Sequence, residues 1–387
     1  MKTLLLLLIA FIAATQSLKA GQNDLASLSG KLKKHVAVLT ADSMEGRGLG
    51  TEGKILAKNY IAEEFQSAGL LPAADEYFRH IDLRIGLARV PGTNVIGYLE
   101  GSDPELRDEF IVMGAHYDHL GYVLQNEEKI IFPGADDNAS GTAVLIELAR
   151  YFSANREQLG RSVIFIAFDA EESGLLGARE FINNNDFFDT DKIKLMFSLD
   201  MVGMYEANDG LDLQGAGTLA DGVSIAEQLA EKMDFQLRNT TADIAPRTDT
   251  WPFGETGIPA IHAFTRLKSP YHEPEDTYDL LDYDGMAKIT RYLQTLVTEY
   301  SNLSELAPSR RFARMQRPWG LRFNAGVLAH AGSSYHEYSD EFFRANNVFA
   351  FSTGFFLQLH VGEKFAFQPE ILYDFNGSDS EQGTYRR

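Results

Sequence analysis

The sequence has no cysteine and is poor in basic residues, with 35 lysines and arginines against 55 aspartates and glutamates in 387 residues. Without cysteine the chain can form no disulfide, no thiolate nucleophile and no cysteine-ligated metal site. Any transition metal must therefore be bound by histidines and carboxylates. The net charge of −20 argues against nucleic acid as a partner, because phosphate binding requires clusters of lysine and arginine. Apolar residues make up 44% of the chain, enough for a substantial core.

The longest apolar run lies at the N-terminus, within residues 1–20. Lys2 precedes apolar residues from Leu4 to Ala14, and small and polar residues follow up to Ala20. The run is too short to cross a membrane as a helix, so it predicts a secretory signal peptide. We therefore expect the mature protein to be exported, and to be periplasmic, associated with the outer membrane, or secreted.

Strand-like and helical patterns alternate in residues 21–307. Apolar strand patterns occupy 94–99, 109–116, 162–168, 193–199 and 259–264. Helical spacing of apolar residues occupies 25–39, 54–68, 142–152, 175–182, 219–233 and 285–303. This alternation predicts an α/β domain with a mixed, mainly parallel sheet and helices on both faces.

The chain changes character at residue 308. Three alternating runs rich in phenylalanine and glycine cover 320–329, 348–360 and 364–375. They predict a short all-β region over 308–387, and they resemble strands of outer-membrane β-barrel proteins from Gram-negative bacteria. A membrane barrel needs at least eight strands. The runs therefore belong to an incomplete barrel, to a small soluble sheet, or to a sheet that pairs with another chain.

Metal-binding residue types follow the ends of the predicted strands, namely His116, Glu171, Glu172, Asp200 and His272, and Asp137 stands at the start of a helix. The carboxyl ends of parallel strands meet at one edge of a sheet, where open α/β folds bind their ligands. Two adjacent glutamates repel each other there unless a cation or a proton stabilises them. We therefore expect these side chains to form a metal site.

The set is large enough for two metal ions. Two ions about 3.5–4 Å apart need a bridging carboxylate and roughly two further ligands each. Asp137 can bridge, although its neighbour Asp136 is an alternative. Glu171 is then free to act as general base towards water activated by the metal. Asp118, two residues after His116, is expected to hold that imidazole by its far nitrogen.

Five motifs in this order resemble the co-catalytic dizinc aminopeptidase family, which also includes glutamate carboxypeptidases and transferrin-receptor-like proteins. They are HYDHLG (116–121), PGADDNASG (133–141), FDAEESGLLGA (168–178), SLDMVG (198–203) and YHEPEDT (271–277). The resemblance extends upstream to EGRGLGTEG (45–53) and TNVIGYLEGSD (93–103), and so covers roughly residues 39–303. Outside this resemblance, EGRGLG would be interpreted as an ordinary turn.

The resemblance implies two zinc ions and a role for each ligand. His116 and Asp200 would bind one ion, Glu172 and His272 the other, and Asp137 both. The motif register favours Asp137 over Asp136 as the bridge, with a cis peptide bond between Asp137 and Asn138.

The resemblance also implies the reaction and the remaining catalytic residues. Glu171 would be the general base for a water that bridges the metals, and Tyr271 would hydrogen-bond the oxyanion. The expected function is that of an exported exopeptidase, with an aminopeptidase acting on peptides with a free N-terminus favoured. The alternatives are a single-zinc glutaminyl cyclase and a non-catalytic receptor or tethering module on the same fold.

Two parts of the sequence stay outside this assignment. Thr248-Asp249-Thr250 departs from the Ser-Asp-His/Tyr usual in the family. The resemblance therefore does not define the substrate pocket near Thr250. The histidines without a motif role are expected to be structural or surface residues; they are His35, His80, His119 and His262.

Overall fold

The structure is a computed structural model that describes residues 23–85, 88–315, 322–334, 345–361, 365–375, 377–380 and 383–386. The predicted signal peptide over 1–20 lies outside the described residues. The chain divides into two compact units, Met1–Ala313 and Arg314–Arg387. Among the described residues, no helix is both long and apolar enough to cross a membrane.

The helices match the predicted helical segments and add two short ones near Thr250 and Arg310. They are α1 (23–39), α2 (Glu52–Ala68), α3 (Gly141–Ala154), α4 (Leu176–Asn184), α5 (Gly222–Met233), α6 (Thr250–Glu255), α7 (Tyr283–Asn302) and α8 (Arg310–Met315). The ends of α2 show why the sequence is helical there. The Thr51 hydroxyl accepts the Lys54 N–H at the start, and Gly69 closes the helix in the left-handed conformation with φ 84°.

The strands of the first unit form a mixed sheet and one separate hairpin. They are β1 (Leu71–Pro72), β2 (Phe78–Ile85), β3 (Ala88–Leu99), β4 (Phe110–His116), β5 (Tyr122–Gln125), β6 (Glu128–Ile131), β7 (Ser162–Phe168), β8 (Ile193–Leu199), β9 (Leu211–Gln214), β10 (Leu237–Thr240) and β11 (Ala260–Phe264). The sheet order is β1-β3-β7-β4-β8-β11-β9-β10, and β2 also pairs with β3. The hairpin joins β5 to β6.

The centre of this sheet is parallel. Strand β4 lies between β7 and β8 and runs parallel to both, and β11 runs parallel to β8. In this register His116 pairs with Phe168, so β4 and β7 end side by side. The carboxyl ends of β4, β7, β8 and β11 therefore lie at one edge of the sheet, as the alternating pattern predicted.

Helices cover both faces of the sheet. Ile111 and Met113 of β4 belong to a hydrophobic cluster shared with α1, α2, α3, α5 and α7. Val112, on the opposite face, belongs to a second cluster with Phe181 of α4 and Phe253 of α6. Every side chain of β7 is buried, as is typical of a strand covered on both faces. The predicted fold class is confirmed.

Strands β1, β2, β5, β6, β9 and β10 were not predicted, and two of their pairs show why. The first half of β3 contains Pro91 and Gly92, which normally interrupt a strand, but there β3 pairs with β2 and not with β7. The β5–β6 hairpin turns at Asn126 and Glu127, whose φ values are 50° and 69°. A glutamate in that conformation is no sequence signal for a hairpin, because glycine is usual there.

The second unit is an antiparallel sheet, as predicted for the C-terminal region. Its strands are β12 (Arg322–Ser334), β13 (Ala345–Val361), β14 (Phe365–Phe367), β15 (Glu370–Phe375), β16 (Gly377–Ser380) and β17 (Gly383–Arg386). The 17-residue strand β13 pairs with β12, β14, β15 and β16.

Candidate metal centre

The five predicted metal ligands converge at the sheet edge where β4, β7 and β8 end. His116 is the last residue of β4, and Asp200 directly follows β8. Asp137 lies in the turn that leads into α3, and its own backbone is not helical. Glu172 lies in the turn after β7, and His272 lies in the loop after β11. The topology thus brings together side chains that are far apart in the sequence.

These side chains form two groups that share Asp137. Nε2 of His116 lies 3.3 Å from Oδ1 of Asp137 and 3.4 Å from Oδ1 of Asp200. Nε2 of His272 lies 3.2 Å from Oδ2 of Asp137 and 3.2 Å from Oε2 of Glu172. Two ligands of one tetrahedral zinc ion are about 3.3 Å apart, because each bond is about 2.0–2.1 Å long. Asp137 therefore presents one carboxylate oxygen to each group, as a bridging ligand would.

The electrostatics of the site favour a cation. Oδ1 of Asp200 and Nε2 of His272 are buried and have no hydrogen-bond partner in the part of the chain that the structure describes. Burial opposes ionisation of Asp137, but the adjacent imidazoles of His116 and His272 lower its pKa. Burial likewise opposes protonation of His116, but the carboxylates of Glu171, Asp137 and Asp200 raise its pKa well above the ordinary value. Imidazoles and carboxylates in this arrangement are a donor set that suits zinc.

Asp136 has a different environment from Asp137. Its carboxylate is fully buried and accepts the N–H of Gly203 at 2.8 Å and the hydroxyl of Ser269 at 2.9 Å. Burial and the neighbouring Asp276 raise the pKa of Asp136 to about 8. The peptide bond between Asp137 and Asn138 is cis, as the resemblance implied. The Asp136 carboxylate is thus bound to Gly203 and Ser269, whereas the Asp137 carboxylate faces His116 and His272 in the site.

Asp118 holds the turn that carries the two glutamates. Its carboxylate accepts the N–H of Glu171 at 3.0 Å and the N–H of Glu172 at 3.4 Å. The far nitrogen of His116, Nδ1, lies 3.1 Å from the backbone oxygen of Asp118 and 3.8 Å from its carboxylate. Burial raises the pKa of Asp118 to about 7. Asp118 thus contacts His116 mainly through its backbone, and its side chain orients the glutamate turn.

Glu171 and Glu172 are placed differently. The atoms that could hold a metal ion fall into two clusters of three residues, and within the described residues Glu172 belongs to one of them and Glu171 to neither. Burial, followed by repulsion from Asp249, raises the pKa of Glu171 well above the ordinary value. Glu171 also lines the cavity next to the site, where a substrate would lie. Glu171 is therefore not placed as a ligand of either cluster.

The family model of peptidase family M28 matches residues 94–297. The chain belongs to peptidase family M28. The matched segment contains His116, Asp137, Glu171, Glu172, Asp200 and His272, all of the residues that converge in the site.

Curated relatives of this M28 peptidase are about a quarter to a third identical to it over the residues that align. It is 27% identical to the uncharacterized protein YfbL of Escherichia coli over 62% of this chain and 78% of YfbL. It is 30% identical to aminopeptidase YwaD of Bacillus subtilis over 48% of this chain but only 40% of YwaD. Membership of the family confirms the predicted class of enzyme, a peptidase among the hydrolases. Relatives named zinc metalloprotease and leucine aminopeptidase agree with the prediction of a zinc-dependent aminopeptidase.

Solved structures of two kinds share the fold of this M28 chain. Glutaminyl cyclase of Porphyromonas gingivalis is 20% identical, with a TM-score of 0.57 over 70% of this chain and 98% of the cyclase. A zinc aminopeptidase of Bacillus subtilis is 17% identical, with a TM-score of 0.56 over 70% of this chain and 94% of that enzyme. At these identities the similarity establishes the fold alone, so the choice between the two activities depends on the site.

His119, which was expected to be structural or on the surface, lies inside the site. Its Nδ1 lies 2.8 Å from Oε1 of Glu172 and 3.8 Å from Oδ2 of Asp137, and its side chain is fully buried. These three residues form the second cluster of possible ligand atoms. His119 lies three residues after His116 in the HYDHLG motif, and this spacing could have indicated that it lies in the site.

Arg47 is a second residue whose role the sequence did not show. It lies in the EGRGLG segment, which would be interpreted as an ordinary turn, yet its side chain is fully buried. The guanidinium donates to five backbone oxygens, those of Leu39, Tyr117, Pro133, Gly134 and Asp137, at 2.7–3.5 Å. Arg47 therefore ties together the backbone next to His116 and the loop that carries Asp137.

A cavity of about 230 Å³ opens beside the ligands. Besides the ligands it is lined by Glu171, Met201, Gln214, Ala245, Pro246, Arg247, Thr248, His262, Phe264, Leu267 and Tyr271. Tyr271 is 42% exposed and stacks on the ring of His272, with 3.7 Å between ring centroids. His262, which was expected to be a structural or surface residue, is a buried part of the cavity wall, and burial lowers its pKa.

Proposed function

We propose that this chain is a dizinc aminopeptidase that hydrolyses the N-terminal peptide bond of peptides. The observation that carries the proposal is the position of Asp137, whose two oxygens face His116 and His272 at 3.3 and 3.2 Å. A site for a single ion would not need one carboxylate directed to two separate groups. His116 and Asp200 would hold one zinc ion, Glu172 and His272 the other, and Asp137 both.

The residues of the chain supply the rest of the chemistry. Bound zinc lowers the pKa of water towards neutrality and polarises a carbonyl group. Glu171 takes the proton of the attacking water and delivers it to the leaving amine, because its carboxylate faces the cavity and is not a ligand. Tyr271, which stacks on His272 and lines the cavity, would donate a hydrogen bond to the oxyanion. The carboxylate of Asp118 accepts the backbone N–H of Glu171 and so keeps Glu171 in position.

The preference for an aminopeptidase over a carboxypeptidase is supported by the relatives. Aminopeptidase YwaD of Bacillus subtilis and leucine aminopeptidase 2 of Trichophyton rubrum are both named aminopeptidases. The carboxylates of the cavity do not decide the point, because Asp137, Glu172 and Asp200 would be neutralised by the zinc ions they hold.

The test is a comparison of three substrates with the zinc-loaded protein. We expect hydrolysis of leucine p-nitroanilide and little hydrolysis of its N-acetyl derivative, in which the ammonium group is blocked. A peptide with N-terminal glutamine reports the alternative activity, because a glutaminyl cyclase converts it to pyroglutamate without hydrolysis. Equal rates on the free and acetylated anilides, or cyclisation without hydrolysis, would reject the proposal.

We also propose that the protein is exported and that its second unit associates with the outer membrane. One face of the sheet exposes large apolar side chains on neighbouring strands. Val327 pairs with Phe355, which pairs with Ile371, and these side chains are 66%, 69% and 79% exposed. Exposed apolar patches of this kind bind lipid or another protein. Fractionation of cells that produce the whole chain should find it in the outer-membrane fraction; recovery in the cytoplasm would contradict the proposal.

A further inference from the structure

His119 is a buried histidine whose side-chain hydrogen bond goes to a predicted zinc ligand. Its Nδ1 lies 2.8 Å from Oε1 of Glu172. Its Nε2 is buried and has no hydrogen-bond partner among the described residues. A carboxylate only accepts hydrogen bonds, so Nδ1 is the protonated nitrogen that donates to Glu172.

The two oxygens of Glu172 therefore have separate partners. Oε1 accepts from His119, and Oε2 lies 3.2 Å from Nε2 of His272. The 2.8 Å separation is that of a charge-assisted hydrogen bond, whereas the 3.2 Å separation is close to the spacing of two ligands on one zinc ion. This difference favours His119 as a hydrogen-bond donor to a ligand over His119 as a ligand.

The protein holds the His119 ring rigidly. The backbone N–H of His119 donates to the carbonyl of Arg47, and its ring lies edge-on to the ring of His272 with 5.7 Å between centroids. Gly134 forms one wall, since a Cβ atom added there would lie 2.5 Å from the His119 ring. Gly134 and His272 thus flank the ring and favour the orientation in which Nδ1 faces Glu172.

We propose that His119 is a positioning residue that holds the Glu172 carboxylate so that its Oε2 faces His272, in the group that would bind the second zinc ion. This inference rests on the proposed dizinc function. Hydrogen bonds from buried groups to metal ligands orient the ligand, and their loss typically weakens metal binding by about 10–100-fold. His119 thereby sets the affinity of the site formed by Asp137, Glu172 and His272, and leaves the site of His116 and Asp200 unaffected.

The experiment measures zinc binding in two variants by competition with a chelator of known affinity. In His119→Ala the donor is removed, and the second zinc ion should bind about 10–100-fold more weakly while the first is unchanged. In His119→Asn the side-chain NH₂ replaces the Nδ1–H group, and we expect affinity close to that of the wild type. The absorption spectrum of the cobalt-substituted protein should be the same in the wild type and in His119→Asn, because no ligand changes.

His35→Ala is the matched control. His35 is also buried and also contacts a glutamate, with Nε2 3.1 Å from Oε1 of Glu147, but neither residue lines the site. Its removal should lower the melting temperature and leave both zinc affinities unchanged.

Three results would overturn the inference. Unchanged zinc affinity in His119→Ala would show that the hydrogen bond does not position Glu172. Equal loss of the second ion in His119→Ala and His119→Asn, with a changed cobalt spectrum, would show that His119 is itself a ligand. A wild-type protein that binds one ion would reject the dizinc function and this inference together, whereas the first two results leave the dizinc function intact.

Discussion

At the scale of single residues, we propose different roles for the adjacent Glu171 and Glu172. We expect conservative substitutions to distinguish the general base from the zinc ligand. Glu171→Gln should retain both zinc ions, because Glu171 belongs to neither group of ligand atoms within the described residues. Its kcat should fall by about 10²–10⁴-fold through loss of the general base. Glu172→Gln should lose the second zinc ion. Zinc content and kcat measured on the same samples test this division, and equal zinc loss in both variants would contradict it.

The neighbouring aspartates are separated by the same logic. Asp137→Asn should remove the shared ligand and lower the affinity for both ions. Asp136→Asn should keep both ions and lose stability instead, because its carboxylate accepts hydrogen bonds from Gly203 and Ser269 inside the protein. The readouts are zinc per chain and melting temperature. Greater zinc loss in the Asp136 variant would show that the bridge is Asp136.

Single residues also mark the limit of prediction from the sequence. The ligands were predictable because apolar strands end abruptly in His116, in the glutamate pair and before Asp200. His119 was not, because it lies in the loop after β4 rather than at the end of a strand, and a loop has no periodicity that shows where a side chain points.

At the scale of helices and strands, Arg47 connects three backbone segments. It donates to the carbonyls of Leu39 at the end of α1, Tyr117 after β4, and Gly134 before α3. The sequence pattern predicted these helices and strands, since each has its own apolar periodicity. It did not predict their connection, because the guanidinium binds backbone oxygens, which carry no signature in the sequence.

Substitution of Arg47 tests that connection. Arg47→Lys keeps the charge but cannot reach all of these carbonyls, and each one left unpaired costs about 1–3 kcal/mol. We expect the free energy of unfolding to fall by at least about 2 kcal/mol, measured by urea denaturation. Arg156→Lys is the control, because Arg156 contacts Glu100 at the surface, where such changes cost about 0.5 kcal/mol or less. Equal stabilities of the two variants would contradict a role for Arg47 in holding the loops.

At the scale of the whole molecule, we expect the first unit to carry the chemistry without the second. The segment over 306–309 still pairs with the first unit, since Ser309 N–H donates to Thr218 at 2.7 Å and Ala220 N–H to Ala307 at 2.9 Å. Phe312 is also buried. A chain truncated after Ala313, rather than at residue 307, should therefore keep its fold, its zinc and its kcat/KM, and should leave the membrane fraction. A truncated chain that fails to fold or loses most of its activity would show that the second unit is needed.

The measurement that tests the dizinc claim most directly is a zinc titration of the metal-free protein. Zinc is removed with a chelator, added back in known equivalents, and bound zinc and hydrolysis of leucine p-nitroanilide are followed together. The shared position of Asp137 predicts two bound ions per chain and activity that reaches its maximum only as the second ion binds. Saturation at one ion per chain, with full activity at that point, would contradict the account.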